Sequence, residues 1–176
     1  MIVLYKGARG RGKTLTMIKD SYNYYLNNWD IYSNMKSLKF AKYLSNEFIL
    51  KIDKKEKKLY NCVLVIDEIQ TLFDSRNSST KESRNFSYFI QQIRKRDIIL
   101  LTTTQFSNTM DKRLRQHIDI IVNPKFLKKY DVCEVFYVDL RTIEDMEIGL
   151  SEPESCKLVY NAEKIFGLYD TKELIN

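Results

Sequence analysis

The chain has 176 residues, 44% of them hydrophobic and 30% charged, a composition that excludes a mostly disordered protein. That length suits one domain on one core, and no run of eighteen apolar residues is present to cross a membrane. The 29 Lys and Arg residues against 23 Asp and Glu leave a net charge of +6, which permits contact with nucleic-acid phosphates and equally describes a soluble basic surface.

Residues 2–6 read as a short apolar strand. It is too brief for a signal peptide and runs directly into a glycine loop, so an intracellular protein is expected. Leu15, Ile18, Tyr22, Tyr25 and Leu26 recur at helical spacing and predict a helix to about Asn27. Residues 30–33 read as a second strand. The lysine-rich stretch 36–60, with a charged turn at 51–58 after Phe48-Ile49-Leu50, reads as a solvated hairpin or loop. Residues 62–66 are a continuous, mostly β-branched run, as expected of a central strand buried on both faces. The polar, aperiodic residues 74–84 predict a loop. Phe86, Phe89, Ile90 and Ile93 predict an amphipathic helix ending near Lys95. Residues 98–104 predict another buried strand, 111–116 a short basic helix, 118–122 a strand, and 132–140 an outer strand. Strands alternating with helices in this order predict an α/β fold with a mainly parallel sheet flanked by helices. One domain over 1–176 is expected, with a core at 1–123 and a C-terminal strand and tail extension at 124–176. The three cysteines, Cys62, Cys133 and Cys156, lie far apart, and His117 is the only histidine, so reduced thiols are expected and a zinc site is not.

Three of the five glycines fall within six residues, in Gly7-Ala8-Arg9-Gly10-Arg11-Gly12-Lys13-Thr14. This is the G-x-x-x-x-G-K-[ST] pattern of a phosphate-binding P-loop, with a strand before it and a helix after it. Glycines let the backbone N–H groups turn inward toward phosphate oxygens, and the following helix adds its positive end. Gly7 to Thr14 together with Leu15 form the candidate nucleotide-binding set. Lys13 would reach the β- and γ-phosphates of ATP, and Thr14 would ligate Mg²⁺. The run Val63 to Ile66 ends in Asp67-Glu68, which delivers two carboxylates to the C-terminal edge of the sheet. Asp67 would hold Mg²⁺, and Glu68 would orient and deprotonate a water attacking the γ-phosphate. Gln105 leaves the next strand, beside Asp67, where its amide would sense the γ-phosphate. Arg94, at the end of a helix and off its apolar stripe, reads either as an arginine acting in trans or as a charge compensating the helix dipole. Lys112, Arg113 and Arg115, and Arg76, Lys81 and Arg84, are two basic groups that read either as DNA contacts or as solvated surface.

The P-loop, the Val-Leu-Val-Ile-Asp-Glu run, an arginine eleven residues before Gln105, and Ile98 to Gln105 resemble the FtsK–HerA superfamily of DNA-pumping ATPases. Residues 67–105, Ile31 to Asn34 and the ending 160–175 resemble two branches: genome-packaging ATPases of viruses with an internal membrane, and zonula occludens toxin-like assembly ATPases of filamentous phages. The resemblance implies a RecA-like ATPase that translocates double-stranded DNA as a ring, usually a hexamer, with active sites between subunits. It matches Lys13 and Thr14 to the P-loop, Asp67 and Glu68 to the Walker B pair, Gln105 to the sensor, and Arg94, or as second choice Arg96, to the trans-acting arginine. The toxin-like branch usually carries a transmembrane segment after the ATPase domain, and this chain has none. Genome packaging in the host cytoplasm, with capsid or virion membrane proteins as partners, is therefore the expected role. The alternatives are an assembly or export ATPase and a nucleotide-gated binding module with little turnover. A small-molecule kinase is disfavoured by Glu68.

Overall fold

Alternation along each apolar strand decides which core each side chain joins. In β1 (Ile2–Lys6), Ile2 and Leu4 enter one core while Val3 and Tyr5 enter the other. The same division holds in β4 (Cys62–Ile66), buried along its whole length, and in β5 (Ile98–Thr104). The structure, a computed structural model, describes residues 1–52, 59–73, 80–105, 110, 112–142 and 155–173. The remaining strands are β2 (Asp30–Ser33), β3 (Lys42–Tyr43), β6 (Ile120–Leu127), β7 (Val132–Asp139) and β8 (Ser155–Asn161). They form one eight-stranded sheet in the order β3-β2-β4-β5-β1-β6-β7-β8. The first six positions are parallel, while β7 runs the opposite way and pairs antiparallel with both β6 and β8. Parallel pairing needs crossovers, which the helices supply.

Helix α1 (Lys13–Leu26) covers one face, packing Leu15, Met17 and Ile18 against Val63, Val65 and Leu101. Helices α2 (Asn46–Lys51), α3 (Lys81–Ile90) and α4 (Lys112–Arg115) cover the other, where Ile49, Phe86, Phe89 and Leu114 meet Leu64 and Leu100. A last short helix, α5 (Glu163–Phe166), places Ile165 in the α1-side core. Helices on both faces of a mainly parallel sheet make the P-loop NTPase fold expected from the element order.

Several expectations change. The stretch 36–60 is not a solvated hairpin: β3 and α2 lie within it, Ser45 caps α2 through Phe48 N–H at 3.1 Å, and Ile49, Ile52 and Leu59 are fully buried. Its charged residues 53–58 lie outside the described residues. The predicted loop at 74–84 gives way to helix from Lys81, capped by Thr80, and residues 74–79, with Arg76, lie outside the described residues. The amphipathic helix stops at Ile90, and a 3-10 turn at Arg94–Arg96 follows. The strand placed at 118–122 runs to Leu127. β7 is interior, because β8 pairs outside it.

Candidate active site

The P-loop leaves the C-terminal end of β1 and turns into α1. Gly12 has φ 89°, a left-handed conformation that favours glycine. A Cβ there would lie 3.2 Å from Cys133 Sγ and 3.3 Å from Phe126 Cβ. The loop is thus pressed against β6 and β7, and Phe126 N–H donates to Arg11 O at 3.1 Å. Thr16 Oγ1 donates to Gly12 O at 2.8 Å and lies 3.0 Å from the Tyr160 hydroxyl of β8. The segment expected as a tail after 123 therefore braces the phosphate loop. Ala8, Arg9, Gly10 and Arg11 are exposed, whereas Leu15 is buried at the base of the adjoining cavity.

Lys13 folds over the loop, its Nζ donating to Ala8 O at 3.1 Å. Burial pulls its pKa below the ordinary lysine value, against the opposing pull of Glu68 and Asp67. Thr14 Oγ1 donates to Asp67 Oδ1 at 3.0 Å. Asp67 is 8% exposed. Burial pushes its carboxyl up, the Thr103 and Thr14 hydroxyls pull it down, and the neighbouring Glu68 charge pushes it up again. A hydroxyl beside a desolvated carboxylate is the oxygen donor set a Mg²⁺ ion takes, so these residues fit that ion.

Glu68 has φ 53°, which costs a non-glycine residue about 1 kcal/mol or more. Its carboxylate accepts from Gln70 Nε2 at 2.6 Å and from Gln105 Nε2 at 3.2 Å. Gln105 thus contacts Glu68, one residue beyond the aspartate expected. Two further residues escaped the sequence reading. Thr103 Oγ1 donates to Asp67 Oδ1 at 2.6 Å and accepts from Glu68 N–H at 2.8 Å. Asn34 grips the Asp67 backbone from both sides: its Oδ1 accepts from Asp67 N–H at 2.9 Å and its Nδ2 donates to Asp67 O at 3.2 Å. The threonine run carried no sign of this, and Asn34 was visible only within the resemblance at 31–34.

The two arginines go elsewhere. Arg94 lies at the N-terminal edge of the strands, opposite the P-loop, where its Nη2 donates to Asp119 Oδ1 at 2.7 Å and its side chain is 75% exposed. Arg96 is 4% exposed, lies over the Tyr60 and Phe89 rings and donates to Gln92 Oε1 at 2.9 Å. Arg96 is thereby committed to this chain's own fold, and of the two only Arg94 is open to a neighbouring chain. Lys112 is exposed on α4, where Arg113 and Arg115 are half-buried, and Lys81 and Arg84 are exposed on α3.

A P-loop lysine, a hydroxyl paired with a buried aspartate, and a glutamate steadied by two amides converge at one sheet edge. A family model for the ATPases associated with various cellular activities (AAA) matches residues 3–125. The chain belongs to the AAA ATPase family. No curated protein matches this ATPase in sequence. Its fold is similar to the N-terminal domain of zonular occludens toxin from Neisseria meningitidis (TM-score 0.61, 18% identity, 96% of this chain and 98% of that one). It is also similar to the genome packaging NTPase B204 from Sulfolobus turreted icosahedral virus 2, solved with ATP-gammaS (TM-score 0.56, 17% identity, 80% and 92%). A third likeness is to a DnaB-like replicative helicase (TM-score 0.57, 14% identity, 96% of this chain and 56% of that one). Both branches that the motifs resemble thus recur among proteins of this fold. Among the described residues, no helix is long and apolar enough to cross a membrane.

Proposed function

We propose that this ATPase couples hydrolysis to the movement of double-stranded DNA, working as a ring of its own copies. The observation that carries the hydrolytic step is the Glu68 carboxylate, held by Gln70 and Gln105 beside Asp67 and across from Lys13. Lys13 and the P-loop amides bind and orient the triphosphate. Thr14 and Asp67 would hold Mg²⁺, which when bound neutralises charge on the β- and γ-phosphates. Glu68 takes a proton from the water that attacks the γ-phosphate, and Gln105 ties its position to the end of β5. Arg94 would act on the phosphate of a neighbouring copy, because it lies at the sheet edge opposite its own P-loop.

DNA as the cargo is supported by the likeness to a genome packaging NTPase and by the net charge of +6. Packaging of a viral genome, in the cytoplasm of an infected cell and against capsid or virion membrane proteins, is the role we favour. The likeness to the zonular occludens toxin domain, which spans nearly the whole of both chains, favours a second reading as a phage assembly or export ATPase. The test is steady-state ATP hydrolysis with and without duplex DNA at several protein concentrations. Stimulation by duplex, with activity rising faster than protein concentration, is expected. Hydrolysis indifferent to both would overturn the DNA-moving ring, and tight ATP binding without turnover would make the protein a nucleotide-gated binding module.

A further inference from the structure

The phosphate site has a roof. Beyond β8 the chain crosses the C-terminal edge of the sheet as an arm, residues 162–173, anchored at both ends. At its start, Ala162 N–H donates to Asp131 O at 2.7 Å, and Ala162 and Ile165 are buried in the α1-side core. At its finish, the Glu173 carboxylate accepts from Lys36 N–H at 2.6 Å, Ser37 N–H at 3.0 Å and the Ser37 hydroxyl. Between these ends, Tyr169 lines the same cavity as Asp67. The arm thus spans from β6 to the loop after β2, over the P-loop. Beneath it is a cavity of about 280 Å³, lined by Gly10, Gly12 and Thr14 of the phosphate loop and α1, by Phe126 of β6, and by Phe166 and Tyr169 of the arm.

The catalytic carboxylate fixes which way a nucleotide must lie. Glu68 and Gln105 stand at the ends of β4 and β5, so the γ-phosphate points to that side of β1. The nucleoside must then leave the loop on the other side of β1, where β6 pairs with it. Phe126, near the end of β6, is tied to the loop by its N–H bond to Arg11 O. Phe166 of the arm meets the Phe126 ring edge to face, with centroids 5.9 Å apart at 86°, yet remains 37% exposed. A half-exposed ring bordering a cavity lined by the phosphate loop is a stacking surface awaiting a planar partner, and a nucleobase is such a partner.

We propose that the arm is the nucleoside-binding wall of the site, with Phe166 the ring on which the base stacks and Glu173 the latch that holds the wall in place. The proposal rests on the P-loop reading above. It is tested by equilibrium binding of magnesium ATP and magnesium tripolyphosphate, which has the phosphates and no base, to the full chain. Phe166→Leu, which keeps an apolar side chain but removes the π-face, is expected to weaken ATP binding about tenfold and to leave tripolyphosphate binding unchanged. Phe166→Trp is expected to keep ATP affinity, with indole emission quenched by ATP and not by tripolyphosphate. Unchanged ATP affinity in Phe166→Leu, or equal losses for both ligands, would overturn the proposal. If the wild-type chain bound tripolyphosphate no better than Lys13→Ala, the P-loop reading itself would fall, and the nucleoside wall with it.

Discussion

A glutamate in left-handed backbone conformation, flanked by two amide donors, is a costly arrangement for a surface turn. It persists because Thr103 and Asn34 hold the backbone of Asp67 and Glu68 from the neighbouring strands. The phosphate loop was legible at this scale, since its glycine spacing reports backbone geometry directly. Thr103 was not, because the threonines of β5 all read as strand formers. Which of them meets Asp67 depends on the register that sets Ile66 opposite Thr102. Gln105 was legible as a member of the candidate site, but its partner was not, for the same reason. The cysteines give a test of packing. Cys133 is buried against the P-loop, and burial pushes the Cys62 thiol up to about 12, so both resist alkylation, while Cys156 is exposed. Maleimide labelling read by mass should add one label to the native protein, at Cys156, and three in denaturant. A label on native Cys133 would contradict the packing of β7 on the loop.

Strands β1, β4 and β5 were readable as elements because each opens with at least four consecutive apolar residues that enter both cores. Helix α2 was hidden because the buried Ile49 and Ile52 flank the exposed Lys51 in a stretch of sequence rich in lysine. β8 was hidden because it is an exposed edge strand, held by pairing with β7 more than by burial of its side chains. The C-terminal arm belongs with these: one carboxylate and a few rings dock it, with no periodicity to announce it. Glu173→Ala should therefore loosen the arm without unfolding the sheet. The loss of a partly exposed carboxylate's bonds to two N–H groups and a hydroxyl is worth about 1 kcal/mol, or about 2–4 °C in Tm. Hydrogen exchange should rise at Lys36, Ser37 and residues 163–173 and stay unchanged in β4 and β5. Unaltered exchange in the arm would show that Glu173 does not hold it.

On the scale of the molecule, one sheet separates two cores, and the α1-side core is rich in buried phenols. Tyr5 and Tyr137 both donate to Asp20 Oδ2, at 2.7 and 3.0 Å. Burial raises the pKa of Tyr5, Tyr137 and Tyr160, and pushes Tyr169 from 10 up to about 12. A raised acid in the folded state favours its neutral form. The stability it contributes is complete below the ordinary phenol value and is lost as pH rises through about 10 to 12 and beyond. Urea unfolding midpoints should thus fall steadily above pH 10, with the buried tyrosines' share of the phenolate absorbance appearing together with unfolding. Stability flat to pH 12 would contradict this core. The mainly parallel α/β architecture was legible because strand–helix alternation leaves few topologies, whereas the antiparallel β7–β8 edge follows from pairing alone. The proposed hydrolytic step turns on Glu68 as the group that activates water, so the most direct measurement compares magnesium ATP binding and turnover in the wild-type chain and Glu68→Gln. Binding within a few-fold of wild type and turnover lower by about 10²–10⁴-fold is the result expected. Hydrolysis by Glu68→Gln at the wild-type rate would contradict it.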